Sequence, residues 1–261
     1  MNILLGALGL VLSSGLWIHF ILKKDKIERE PLATFILVGL GGGLISIVFA
    51  GLSNGVFSAA TGIRSSTGPM PAPAAAFLSL FVGFSEEFFK CVAAMLLMRK
   101  LKEFDEPADG VIYAMAVCLG FAAIENIAYM ARSGVAVLVS RTFLSVPAHL
   151  GFGALWGTGL AAAKFRFPKS NPLRVVLPYL AVSALCHGLY DFWLFAFLPM
   201  RAPVAVLIVL SLWSFASRKM RFLVAHSPFL TPGQCPECGA RNKVDATICA
   251  ACGAAMYPVI R

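Results

Sequence analysis

The sequence predicts an all-α polytopic membrane bundle of about seven transmembrane helices, followed by a small four-cysteine zinc-ribbon domain. Three observations carry that expectation. Of 261 residues, 59% are hydrophobic and only 13% charged, against about 25% charged in soluble domains. Seven apolar runs alternate with short charged connections, and a membrane-crossing helix takes roughly 20 such residues. Two Cys-x-x-Cys pairs lie near the C-terminus. A net charge of +9 would suggest nucleic acid in a soluble protein. Here it fits the gathering of Lys and Arg in cytoplasmic loops, and no nucleic-acid partner is expected.

The first run, residues 3–22, has no preceding positive charge and is followed by Lys23, Lys24 and Lys26. A cleaved signal peptide has its charges first, so this is read as a retained helix with its N-terminus outside and His19 at the interface. Pro31 suits a helix start, and the second span follows over about 32–60. It carries Gly39, Gly41, Gly42, Gly43, Gly51 and Gly55, small residues that let membrane helices approach closely. A loop over 62–73 leads to the third span, 74–98. The fourth is expected at about 110–131, the fifth at 142–163, the sixth at 175–197, and a short seventh at 204–217 after a turn containing Pro199.

This division has a testable orientation. With the N-terminus outside, the inner loops hold fourteen basic residues in four groups, near residues 23–29, 99–102, 164–174 and 218–221. The outer loops hold only Arg64, Arg132, Arg141 and Arg201. That bias predicts an integral, multi-pass protein with its N-terminus outside and its C-terminus cytoplasmic.

Charge inside a span needs a reason, because it costs about 2.5–3.5 kcal/mol at the bilayer centre on insertion scales. The third span holds Glu86, Glu87 and Lys90. Lys90 is i+4 from Glu86 and i+3 from Glu87, so one acid can neutralise the lysine and leave the other as a spare carboxyl. Glu125 with Asn126, His149, and the i,i+4 pair His187 and Asp191 lie in three further spans. Counting 1.5 Å per residue from each expected outer end, Glu86 lies roughly 18 Å deep, Glu125 and His149 roughly 10 Å, and His187 roughly 15 Å. A shared depth on four helices points to one wet cavity towards the outer side. Glu86, Glu87, Glu125, His149 and His187 are the candidate catalytic residues, with Lys90, Asn126 and Asp191 in support. Two chemistries fit: a glutamate that activates water while histidines or amides hold the oxyanion, or a catalytic metal held by the histidines and a carboxylate.

Cys235, Cys238, Cys249 and Cys252 form two pairs at a spacing that suits one tetrahedral zinc with no open position, a structural site. In the reducing cytoplasm disulfides are not expected. Cys91, Cys118 and Cys186 stand singly in apolar runs as packing residues. The expected division is a transmembrane domain over 1–217, a basic linker over 218–234 that includes His226, and the cytoplasmic ribbon over 235–253.

The segments Glu86-Glu-Phe-Phe-Lys90, Phe121-Ala-Ala-Ile-Glu-Asn126, Pro147 with His149, and His187-Gly-Leu-Tyr-Asp191 resemble, in order, the motifs of the PrsW family of intramembrane proteases. Asp25 with Glu30-Pro31, and Asp109-Gly110 with Tyr113, resemble that family as well. Its wider superfamily includes the CAAX-processing (Abi-like) proteases, which carry a histidine where this chain has Glu125. The resemblance implies hydrolysis of a membrane-anchored protein substrate, with Glu86 or Glu87 as base and Glu125, His149 and His187 completing the site. It also implies location in a bacterial cytoplasmic membrane. A second metal, in the membrane site, stays open beside the ribbon zinc. The competing reading is a non-catalytic scaffold or sensor that recruits a cytoplasmic partner through the ribbon.

Overall fold

The computed structural model describes residues 3–64, 70–196 and 200–256. Among them the chain is a bundle of helices with no strand. The long helices are α1 (Ile3–Leu22), α2 (Leu32–Thr61), α3 (Ala72–Met98) and α4 (Asp109–Ser133). A short α5 (Val137–Ser140) passes through a wide π-turn, Arg141–Ser145, into α6 (Val146–Ala161). The last two are α7 (Pro172–Ala196) and α8 (Arg201–Val224). Helices α1, α2, α4, α7 and α8 are long and apolar enough to cross a membrane. Helix α3 is as long but carries Glu86, Glu87 and Lys90, while α6, of 16 residues, is buried along its whole length.

Two boundaries differ from expectation. The seventh span is not short: α8 runs for 24 residues and takes in the start of the stretch expected as linker. The fifth begins earlier, at α5, and enters α6 through the π-turn. Pro147 explains that turn, because proline has no N–H for the carbonyl four residues back. Parts of the 62–73 loop, at 65–69, and the turn at Pro199 lie outside the described residues.

Glycine sets the helix spacing. A Cβ on Gly120 would overlap the Gly39 carbonyl oxygen, and one on Gly43 would overlap the Gly120 backbone. A Cβ on Gly83 would come within 2.5 Å of the Gly188 nitrogen. Helices α2 and α4, and α3 and α7, therefore touch backbone to backbone, as small residues allow in a membrane. Most of the second-span glycines are thus packing residues, but Gly51 and Gly55 have open space around them.

At the end of the bundle where α1, α3 and α8 finish, four acids are buried together. Asp25 accepts the Glu30 N–H, and Glu30 accepts the Tyr113 hydroxyl. Asp109 accepts the N–H groups of Glu106 and Asp105 at 2.7 and 2.9 Å, and Glu106 accepts the Ser227 hydroxyl. These bonds tie the α1–α2 and α3–α4 connections and the segment after α8 into one layer. The ribbon sits against it: Glu237 lies 3.7 Å from both Lys26 Nζ and Arg221 Nε. Its knuckles turn at Gly239 and Gly253, with φ of 75° and 72°, values that favour glycine. The four cysteine sulfurs lie within 4.8 Å of one another.

Burial pushes the Glu106 carboxyl up from 4.5 to about 7, with the acids Asp25, Glu28 and Asp105 adding to the rise. A carboxyl whose folded value is raised holds its proton better folded than unfolded, so its penalty on stability grows as pH climbs from 4.5 through about 7. Glu106→Gln is therefore expected to raise the melting temperature in detergent at pH 8 and to leave it nearly unchanged at pH 4.5.

Candidate active site

The second half of α3, the C-terminal half of α4, the start of α6 and the C-terminal half of α7 bring the intramembrane polar residues together. Lys90 is at their centre, with no exposed surface. Its ammonium lies 2.9 Å from Glu87 Oε1, 3.2 Å from Glu86 Oε2 and 3.1 Å from His149 Nδ1. The Phe121 ring covers it, with the centroid 3.9 Å away. An ammonium has three protons and no lone pair, so all three are spent here. The expectation that one acid pairs with Lys90 and the other stays spare is corrected: Lys90 holds both.

The two glutamates nonetheless differ. Glu87 is wholly buried, and its partners are Lys90, His187 Nδ1 at 2.9 Å and the Trp156 indole N–H at 2.9 Å. The Ser183 hydroxyl lies 3.3 Å from its second oxygen. Glu86 instead lines a cavity of about 390 Å³, together with Glu125, Arg141, His149, His187 and Asp191.

Hydrogen bonding orders the imidazoles. Because Lys90 donates to His149 Nδ1, the neutral ring carries its proton on Nε2, 3.2 Å from Glu125 Oε2. His187 gives its Nδ1 proton to Glu87. Its Nε2 then faces Asp191 Oδ2 at 3.6 Å and Glu86 Oε2 at 3.9 Å. His149 and His187 stand edge to face, with centroids 5.2 Å apart.

All five candidate catalytic residues and Lys90, Asn126 and Asp191 meet in this one region. The residue that sequence reasoning misplaces is Arg141. Counted as an outer-loop charge, it is buried at the π-turn. It donates through Nε to Asn126 and through a terminal nitrogen to Glu125, and its guanidinium lies 3.8 Å from the Tyr129 ring centroid. Burial of a charge requires such partners. Sequence reasoning also misses Trp156 and Ser183, although each is one or two helical turns from a histidine, at i+7 from His149 and four before His187. Asn54 of α2 lines the far wall of the cavity, and its carbonyl oxygen is buried without a partner among the described residues.

The family model described as PrsW family intramembrane metalloprotease matches residues 30–216. The chain belongs to the PrsW family. It is similar to Protease PrsW of Geobacillus kaustophilus (strain HTA426), 36% identical over 203 residues, which are 76% of this chain and 83% of that one. It is 28% identical to Protease PrsW of Clostridioides difficile (strain 630) over 81% of this chain and 87% of that one. For Protease PrsW of Bacillus subtilis (strain 168) the identity is 34%, over 53% and 63% of the two chains. No solved structure matches the chain significantly. This PrsW-family protein is a membrane protease, a hydrolase, with a C-terminal four-cysteine cluster added beyond the matched region.

The membrane site fits the metal that the family description implies. Glu86, His149 and His187 are buried and offer ligand atoms within 4.8 Å of one another. Four carboxylates, Glu86, Glu87, Glu125 and Asp191, surround two cations, Lys90 and Arg141, so a divalent cation would balance the set. His187 has the arrangement common to metal-binding histidines, with Nδ1 bonded to a carboxylate and Nε2 free. His149 can join through Nε2 when its proton leaves, as metal binding to histidine commonly requires.

Replacing Lys90 by methionine would leave Glu86 and Glu87 buried without their cation. Removing one partner of a buried pair costs about 3–5 kcal/mol. Lys90→Met is expected to lower the melting temperature in detergent sharply, and adding Glu87→Gln is expected to recover part of the loss.

Proposed function

We propose that this chain hydrolyses a peptide bond of a membrane-anchored protein inside the cavity. The observation that carries the reading is the convergence of Glu86, Glu125, His149, His187 and Asp191, from four helices, on one space of about 390 Å³. The cavity lies in the half of the bundle away from the ribbon. With the N-terminus outside and the C-terminus cytoplasmic, as the loop charges favour, scission takes place towards the outer face.

Glu86, His149 and His187 would hold a divalent metal in this reading, which when bound would supply Lewis-acid polarisation of a carbonyl and a lowered pKa of water. Asp191, which lines the cavity with its Oδ2 3.6 Å from His187 Nε2, takes the proton of the attacking water. The water oxygen bonds to the carbonyl carbon, the C–N bond breaks, and the proton passes to the departing amine nitrogen. Arg141, held by Glu125 and Asn126, supplies positive charge at the cavity wall as the carbonyl oxygen becomes negative. Glu87 is a positioning residue that orients His187 and anchors Lys90. The substrate must expose its scissile amide, and polar backbone is tolerated at membrane depth only inside such a cavity. Asn54 offers that backbone a hydrogen-bonding partner. In the ribbon, zinc on the four thiolates is structural.

Purified chain in vesicles with a tagged, membrane-anchored substrate tests this reading. Glu86→Gln and Asp191→Asn are each expected to lower turnover by about 10²-fold or more. Wild-type turnover by Glu86→Gln would overturn it.

Metal content gives a second check. The full chain is expected to bind two metal equivalents. Cys235→Ser with Cys249→Ser should remove one of them, and Glu86→Gln with His187→Ala the other. A single equivalent, lost with the cysteines, would leave the membrane site metal-free.

A further inference from the structure

The bundle also carries a furrow that shares no lining residue with the catalytic cavity. Helix α1 packs on α4 and α5 and leaves a furrow against α2, floored by α4. Ile18, Phe35, Ile36, Leu40, Leu119 and Ala123 line this furrow, and its one polar side chain is Ser14. Ile18 also lines the next cavity, of about 820 Å³, at the basic end of the bundle. There the lining changes to His19, Lys23, Lys26 and Arg29, roofed by Glu237 and Cys238 of the first ribbon knuckle.

The formal charges lining this chamber balance, Lys23, Lys26 and Arg29 against Asp25, Glu30 and Glu237, but they are not equally available to a ligand. Asp25 and Glu30 are in its wall but are 2% and 5% exposed, and each accepts a hydrogen bond within the fold, whereas the basic side chains reach the open space. Glu237 is answered by Lys26 and Arg221. Lys23 and Arg29 are exposed and make no ion pair among the described residues. An apolar furrow at membrane depth thus opens into a basic chamber at the membrane surface, and the two meet at Ile18.

From this we infer that the α1–α2 furrow and the chamber beneath the ribbon bind one anionic phospholipid. An acyl chain lies along Ile18, Ile36 and Leu40, and the phosphate sits among Lys23, Arg29 and Lys26. Basic pockets of this kind recognise anionic headgroups, and the furrow selects a lipid over a soluble anion, which would leave it empty. Glu237, bridging Lys26 and Arg221, keeps the knuckle over the headgroup, so the ribbon forms part of the site. The inference is independent of proteolysis.

The test uses the full chain, reconstituted in mixed vesicles of phosphatidylcholine and phosphatidylglycerol and then extracted in mild detergent. Lipid retained by the protein is measured, and photoreactive phosphatidylglycerol locates the contact on the wild-type chain. Phosphatidylglycerol is expected to be enriched over phosphatidylcholine and to crosslink to α1 and α2. Lys23→Gln with Arg29→Gln should weaken retention roughly thirty-fold, given the usual contribution of two cations near a membrane surface. Ser14→Trp, which fills the furrow and keeps every charge, should also abolish the enrichment, while glycerol phosphate should not displace the lipid. Equal retention of the two lipids, or crosslinks confined to other helices, would overturn the proposal. So would displacement by glycerol phosphate together with indifference to Ser14→Trp, which would identify the chamber as a site for soluble anions.

Discussion

The ammonium of Lys90 is the charge on which the rest of the membrane site depends. It is wholly buried and meets two carboxylates, an imidazole nitrogen and an aromatic face within 4 Å. A cation in that position would be prohibitive without such partners. With them, it holds Glu86 and Glu87 side by side and assigns the proton of His149 to the nitrogen that faces Glu125. From there the network passes to Arg141 and Asn126 in one direction, and through Glu87 to His187, Trp156 and Ser183 in the other. Four helices are locked by one chain of charge-assisted bonds, which are stronger than bonds between neutral groups.

That network requires the helices to be close, and glycine makes them so. The contacts of Gly39 and Gly43 with Gly120, and of Gly83 with Gly188, bring α2 onto α4 and α3 onto α7 at backbone distance. Without lipid-excluding hydrophobic drive inside a bilayer, such packing and buried hydrogen bonds are what hold helices together. Further along the same glycine-rich helix, Gly51 has open space beside it and lines the cavity, while Phe57 keeps the helix stacked on Phe81 of α3. Tight packing and an open site thus belong to two halves of α2.

The two ends of the bundle have separate electrostatic characters. The site end has four acids balanced in part by Lys90 and Arg141. At the other end Asp25, Glu30, Glu106 and Asp109 are buried beneath a basic rim, and each keeps one oxygen without a partner among the described residues. Their hydrogen bonds hold the loops in place, and Glu237 docks the ribbon on the rim. A small cysteine domain is in this way fixed to a membrane enzyme by the contacts of Glu237 with Lys26 and Arg221, and the segment leading to it by the Ser227–Glu106 bond. Exposed pairs of this type contribute little individually, so the ribbon's attachment depends on the layer as a whole.

Much of this was legible in residue spacing. Apolar length located the helices, because bilayer thickness sets how many residues a span needs. The i,i+3 and i,i+4 intervals among Glu86, Glu87, Lys90, His187 and Asp191 placed those groups on shared helix faces, since spacing along one helix is fixed by its period. The Cys-x-x-Cys intervals identified the four-cysteine cluster for the same local reason. Tertiary structure alone decided which glutamate faces the cavity and which is sealed behind it. It also turned Arg141 inward from an apparent loop, set Trp156 against Glu87, and left Asn54 on the far wall. Those outcomes depend on how each helix is rotated about its axis. Rotation is set by contacts with helices up to a hundred residues away, such as His187 with Glu87, and no local pattern encodes it.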